Sequence, residues 1–444
     1  MKAEGNGRRQ IRPPAQDPGL RARAAALDVV AAVVRRRVPL DDALEQQPDL
    51  DGLEPRDRGF VRLLAATILR RLGQLDAVVL AFLDRPQLPK ADVLDVLRLG
   101  AAQILFLGTP SHAAVDTSVD LVAARGHAHA KGMVNAVLRK VVRDGPGLVA
   151  GQDAGRLNTP DWLWLSWRQA YGTARARGIV EAHLSEPPLD LTVRSEPEAW
   201  AARLEAEILP TGSLRRATAG GITELPGFAE GAWWVQDAAA AIPARLFGDL
   251  NGKLVYDLCA APGGKTLQLA AQAGARVVAV DRSAGRIARV GANLARTGLA
   301  AETVVADAAK WSPEEPADAI LLDAPCSATG AVRRHPDILH LKTRADVEKL
   351  AAAQARLLRA AGRLLKPGGL LVYCTCSLEP EEGERQIAAF LEAGAPFARV
   401  PIDPAEVGGC DAFVNSDGEV RTLPGHWSER GGIDGFFVAR LRRI

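Results

Sequence analysis

At 444 residues, 48% hydrophobic and 24% charged, the chain can bury more than one core and is too apolar for a disordered polyelectrolyte. A net charge of +2 neither demands nor excludes an anionic partner, although residues 1–150 carry 22 Lys and Arg against 17 Asp and Glu, a local excess of five. Five cysteines with no C-x-x-C pair argue against a disulfide framework.

The amino terminus, MKAEGNGRRQIRPPAQDPG, has no apolar run behind its basic residues. The longest apolar runs, such as VVLAFL at 78–83, fall far short of a bilayer span. A cytoplasmic protein with no membrane partner is expected. From about Pro18 to Asp144, LRARAAALDVVAAVVRRR and RDRGFVRLLAATILRRLGQLDAVVLAFL repeat apolar residues at three- and four-residue intervals, which predicts an all-α domain over 1–145. Ser111 is expected to cap the helix HAAVDTSVDLVAARG, and GPG at 145–147 to end the helix KGMVNAVLRKVVRD. Periodicity alone leaves this bundle equally suited to docking a protein or holding RNA.

Residues 146–235 read as a linker helix, TPDWLWLSWRQAYG, and a small α+β insert. Trp162, Trp164 and Trp167 suit packing onto a neighbouring domain better than base stacking. LDLTVRS, with Leu189, Leu191 and Val193 alternating, reads as a half-buried strand, PEAWAARLEAEI as a helix and GITELPG as a short strand. Over 236–444 strands alternate with helices, from KLVYDLCAAPGG through RVVAVDRS, ETVVADA and DAILLDAPCSATG to KPGGLLVYCTCS. That alternation predicts a Rossmann-like α/β domain whose parallel sheet is covered on both faces. DGFFVARLRR is the expected edge strand.

DLCAAPGGKT, residues 257–266, follows a buried strand and opens a helix, where doubly wound folds bind ligands. Cys259 stands where a P-loop needs glycine, and the G-x-G-x-x-G spacing is absent, so neither a triphosphate nor a nicotinamide dinucleotide is indicated. Asp281, Asp307 and Asp323 end successive strands and line the carboxyl edge, which favours an adenosyl ligand. Cys326 follows Asp323 by three residues, and Cys374 and Cys376 end the next strand, so the cysteines should converge. Their spacing lacks the paired knuckles of structural zinc, and no metal is expected. Strand alternation turns Cys374 toward the interior.

DLCAAPGGKT, DAPCSATG and VYCTCSLEPEE resemble the successive motifs of the bacterial RNA (cytosine-5) methyltransferases of the Sun family. RRHPD at 333–337 and the all-α region, with VNAVLRK, resemble a branch whose amino-terminal domain is similar to the antitermination factor NusB. The resemblance implies three parts: an all-α NusB-like RNA-binding domain, a small α+β RNA-binding insert and a class I methyltransferase domain. Gly383 departs from the asparagine that the family often shows after PEE, which should alter a helix-start contact.

The resemblance further implies S-adenosyl-L-methionine held by Cys259, Ala260, Ala261, Pro262, Gly263, Gly264 and Lys265. Asp281 would then lie on the ribose, Asp307 near the adenine and Asp323 toward the methionine end. It also implies a monomer acting on one cytosine of small-subunit rRNA, in a single strand or loop. A tRNA or another rRNA site is the alternative substrate, and an RNA-binding assembly factor with an inactive domain the non-enzymatic one. Cytosine C5 is too weak a nucleophile to take a methyl group unaided, so a thiolate must add at C6, while Asp323 can hydrogen-bond N3 and the exocyclic amine. The residues alone leave Cys326 and Cys376 equal as nucleophile. The resemblance assigns attack to Cys376 and assistance in the later elimination to Cys326.

Overall fold

The structure is a computed structural model describing residues 18–84, 88–217 and 220–444; the amino-terminal stretch 1–17 lies outside them. The chain divides into two compact units, one reaching to Pro160 and taking in His335–Leu341, the other comprising Asp161–Arg334 and Lys342–Ile444.

The first unit is helical: α1 (Pro18–Arg36), α2 (Leu40–Glu45), α3 (Pro55–Arg70), α4 (Leu72–Phe82), α5 (Ala91–Leu105), α6 (Ser111–Ala124), α7 (Lys131–Ala150) and the single turn α8 (Ala154–Leu157). Their apolar stripes meet in one core, in which Val33, Leu64, Ile68, Leu97 and Leu138 are fully buried. Each such side chain contributes about 1.5–3 kcal/mol of transfer free energy. Two expectations need correction. Ser111 is the first residue of α6, preceded by Pro110, and makes no cap. GPG does not stop α7, which runs through Pro146. Gly145 fits against Leu105, where a Cβ would come within 3.0 Å, and Val149 packs on the core, which offsets the one lost N–H. Residues 335–341 belong to this unit: Asp337 Oδ2 accepts from Leu40 N at 3.0 Å, and the His340 ring meets Leu69 O at 2.8 Å.

The second unit opens with α9 (Asp161–Ala182), broken at Gly172, where φ is 79°. Trp164 and Trp167 are buried, and Trp167 Nε1 donates to Glu379 Oε1 at 2.9 Å, as the packing reading expects. The insert forms a four-stranded antiparallel sheet in the order β2 (Glu207–Ile208), β3 (Leu214–Arg216), β1 (Leu189–Val193), β4 (Trp233–Val235), with α10 (Pro197–Arg203) beside it. GITELPG holds a 3-10 turn at Ile222–Glu224 in place of the expected strand. β1 is buried on both faces, because Asp190 is wholly enclosed in a two-pronged pair with Arg215 at 2.7 Å. Arg334 joins that acid at 3.4 Å to Asp237 at 2.7 Å and Asp434 at 3.2 Å, tying the insert to the larger sheet.

That sheet follows the short helix α11 (Ile242–Arg245). Its parallel strands β5 (Leu254–Leu258), β6 (Arg276–Asp281), β7 (Glu302–Val305), β8 (Ala317–Asp323) and β9 (Leu365–Thr375) lie in the order β9-β8-β5-β6-β7. Between them run α12 (Gly264–Ala270), α13 (Ala284–Thr297), α14 (Ile338–Leu341, part of the first unit) and α15 (Arg344–Leu364), the last started by a Thr343–Asp346 capping box. α16 (Glu384–Glu392), β10 (Phe397–Arg399), β11 (Val420–Thr422) and β12 (Phe436–Arg443) complete the unit. β12 is not the expected edge strand. It lies antiparallel between β9 and β10 and also pairs β11, and five of the eight residues of FFVARLRR are buried.

Candidate active site

The carboxyl ends of β5, β6, β8 and β9 bring the predicted residues to one edge. β6 ends at Asp281 and β8 at Asp323, whereas Asp307 stands two residues beyond the end of β7 at Val305. A cavity of about 640 Å³ opens there, lined by Cys259, Val280, Asp281, Asp307, Ala308 and Leu357 among others. Asp281 is buried; its Oδ1 accepts from Ser283 N at 3.1 Å and its Oδ2 from Ala261 N at 3.3 Å. Gly263, the residue before α12, has φ at 106°, a left-handed geometry that favours glycine, and a Cβ there would lie 3.2 Å from Val290 Cγ1. Of the predicted turn only Cys259 lines the cavity; Ala260, Ala261, Pro262, Gly263 and Gly264 do not.

Lys265 points elsewhere. Its Nζ donates to Asp323 Oδ2 at 2.8 Å and lies 5.1 Å from the centre of the Phe436 ring. Burial alone would lower the lysine's pKa, but Asp323 outweighs it and holds the ammonium charged. Cys374 Sγ reaches the other Asp323 oxygen at 3.5 Å from a fully buried position. On the adjoining loops Cys326 Sγ and Cys376 Sγ are 3.5 Å apart, both partly exposed. The hydrogen bond to Cys376 and burial raise the Cys326 pKa well above the ordinary thiol range, so Cys326 is held as a thiol. Burial pushes Cys259 up to about 12, and raises Cys374 strongly as well. Both are inert thiols at neutral pH. Among the described residues no group of three or more His, Cys, Asp or Glu is placed to hold a metal ion.

Two features escaped the sequence reading. The Lys265–Asp323 pair joins residues 58 apart and leaves no signal in spacing. Glu382, in the quoted PEE, is fully buried beneath the two thiol loops. Its neighbour Gly383 precedes α16 without a side-chain cap, and a Cβ there would stand 2.5 Å from Arg421 Nη2. Glycine thus admits Arg421, which pairs with Glu384, the first residue of α16, at 2.7 Å.

Asp257 lies behind this edge, fully buried, with one oxygen accepting from Thr266 Oγ1 at 2.6 Å and the other unpartnered. Burial pushes its carboxyl up to about 7. The folded protein therefore keeps a proton that the unfolded chain releases near 3.8. The resulting stabilisation is complete below the unfolded value and is lost as pH rises through the folded one. Across that window it falls by up to about 1.4 kcal/mol per pH unit. Asp257→Asn keeps an acceptor for Thr266 and is expected to flatten this slope. Denaturant melts at pH 5 and pH 8 should show the variant gaining on the parent at the higher pH.

A parallel sheet with acids along its carboxyl edge, a glycine turn after its central strand, a nucleoside-sized cavity and antiparallel strands on one side define a Rossmann-like methyltransferase. Residues 246–442 match the family model described as 16S rRNA methyltransferase RsmB/F, and residues 20–143 that of the NusB family. The Ribosomal RNA small subunit methyltransferase B of Vibrio cholerae is 37% identical over 96% of this chain and 98% of its own length. That of Klebsiella pneumoniae is 38% identical over 94% and 97%. Among solved structures, PH0851 superposes with a TM-score of 0.74 over 98% of this chain and 100% of its own, at 24% identity. NSun6 from Pyrococcus horikoshii, solved with SFG, does so at 0.55 over 64% of this chain and 98% of its own, at 19% identity. The chain belongs to the ribosomal RNA small subunit methyltransferase B family.

Proposed function

We propose that this chain transfers a methyl group from S-adenosylmethionine to C5 of one cytosine in small-subunit rRNA, through a covalent bond between Cys376 and C6 of the base. Methyl transfer to rRNA from S-adenosylmethionine is the activity that the family's name and fold carry. The observation that supports the finer reading is the pair of thiols 3.5 Å apart on the loops that follow neighbouring strands, one of which ends in Asp323.

The cavity suits the cofactor's adenosine. Its floor is apolar at Val280, Ala308 and Leu357, and the buried Asp281 carboxylate is placed to accept from ribose hydroxyls. Asp307 would lie near the adenine, and Asp323 toward the methionine end. SFG, bound in the NSun6 structure, is an analogue of the same molecule. When bound, S-adenosylmethionine supplies the methyl group as an electrophile.

The chain's own residues do the rest. Cys376, as thiolate, adds to C6 and drives electron density onto C5. Asp323, oriented by Lys265, accepts from the exocyclic amine and, as N3 takes up a proton on attack at C6, from N3–H. After C5 is methylated, its proton passes to water, the C5–C6 double bond re-forms and the C6–S bond breaks, leaving the Cys376 sulfur to take a proton from the Cys326 thiol 3.5 Å away. Cys326, held as a thiol beside the departing sulfur, assists that elimination. Residues 1–145 and the insert would grip the flanking phosphates.

Bisulfite sequencing of total RNA from cells with and without the gene tests the reading. One small-subunit cytosine should lose its protection in the deletion. A lost mark in tRNA would reassign the substrate, and no lost mark at all would sink the cytosine-5 assignment.

A further inference from the structure

The β8–β9 ladder ends at Asp323 opposite Cys374, and Ala324 N to Cys374 O at 3.0 Å and Gly330 N to Cys376 O at 2.9 Å hold the backbone beyond it, but each thiol side chain sits on a loop past its strand. Glu382 links those loops. Its carboxylate accepts from Ser327 N at 2.9 Å and from Ser327 Oγ, from Ser377 Oγ at 2.6 Å and from Gln354 Nε2 at 3.0 Å. Ser327 directly follows Cys326, and Ser377 directly follows Cys376. Glu382, Ser327, Ser377 and Gln354 are all fully buried.

A buried carboxylate costs several kcal/mol unless its lone pairs are satisfied. No ion pair to Glu382 is found among the described residues, and four donors from three residues surround it. Both serine hydroxyls turn their protons toward it, and the carboxylate serves all four donors as acceptor. The remaining lone pairs of Ser377 Oγ are then free to accept from Glu379 N, which they do at 3.0 Å. A neutral side chain such as glutamine would carry its own N–H into this ring of donors. The acceptor-only group therefore fixes the rotamer of each residue that follows a thiol.

Resting on the reading that both thiols act on one base, we propose that Glu382 is a positioning residue that sets the spacing of Cys326 and Cys376. It touches neither base nor cofactor. A displacement of about 1 Å between reacting groups lowers turnover by about a hundredfold, and that is the effect expected for Glu382→Gln on kcat. The KM for RNA and the affinity for S-adenosylmethionine should stay within about twofold, because the cavity and the basic surfaces are untouched.

A readout independent of methylation follows from the sulfur spacing. Phenylarsine oxide condenses with two thiols, forming two As–S bonds and releasing water, and it does so tightly only when the sulfurs can approach bridging distance. The parent enzyme should take up one equivalent, and Cys326→Ala none. Glu382→Gln should bind it about tenfold or more weakly, on the scale of one lost charge-assisted hydrogen bond. If Glu382→Gln does not fold, Ser327→Ala and Ser377→Ala each remove one hydroxyl arm and should reproduce the loss of kcat at unchanged cofactor affinity. Unchanged kcat and arsenical binding in all folded variants overturns the proposal. So does a loss of kcat that tracks lost cofactor affinity and melting temperature, and so does a parent enzyme that takes up no arsenical. A parent that binds the arsenical but modifies no cytosine would overturn the proposed reaction instead and leave the latch standing.

Discussion

Cys376→Ala is expected to bind RNA and cofactor yet neither methylate nor form a covalent RNA adduct, while Cys326→Ala accumulates an adduct that survives denaturing gels. Without the Cys376 sulfur no bond to C6 can form, and turnover should fall on the order of 10⁴-fold or more, the scale on which loss of a covalent nucleophile acts. Without Cys326, attack and methylation can proceed, but elimination stalls and the protein stays on the base. The asymmetry follows from the two roles: the sulfurs lie 3.5 Å apart, so each variant leaves the other thiol facing the base alone. Cys374→Ala should keep activity at a cost of about 1 kcal/mol in stability, as expected for a small buried side chain in an apolar cluster. An adduct in Cys376→Ala but not in Cys326→Ala would reverse the two roles.

Asp323→Asn is expected to lower single-turnover methylation by about 10²–10³-fold, the scale of one lost stabilising group at a developing charge. The amide can still accept from Lys265, so the fold should survive. Asp323→Ala is the harsher change, because it leaves a nearly buried ammonium unpaired against the face of Phe436. Breaking such a pair from one side costs about 3–5 kcal/mol, an upper figure here because Asp323 is 31% exposed. Lys265→Met should restore stability to the Asp323→Ala background without restoring rate. Melting temperature and single-turnover rate on the four proteins separate the two effects, and a double variant that recovers rate would show Asp323 to be structural.

The central sheet was legible because β5, β6, β8 and the Leu370–Tyr373 part of β9 are short apolar runs set between helices, a pattern that permits little else. The convergence of Cys326 and Cys376 followed from the same alternation once their strands were taken as neighbours. The insert was less legible. β2, β3 and β4 have two or three residues each, too few for alternation to register, and Asp190 reads as an outward polar position until Arg215 is seen beside it. Pro146 misled because local propensity argues for a stop, whereas Gly145 and Val149 pack on α5 and the core. Glu382 and the Lys265–Asp323 pair exist only through tertiary contact. The motif letters were visible, but not what they touch.

The place of β12 bears on how the enzyme is made. β9 carries the loop of Cys376 and gains its second neighbour only from residues 436–443, more than sixty residues downstream. During synthesis β9 therefore waits as an unpaired, apolar border whose free amides invite another chain. A ribosome that stalls or terminates within that interval releases a sticky intermediate rather than a slow enzyme. Frameshifts and nonsense changes near the end of the coding sequence should accordingly show up as inclusion bodies and proteolysis, not as partial modification of the substrate.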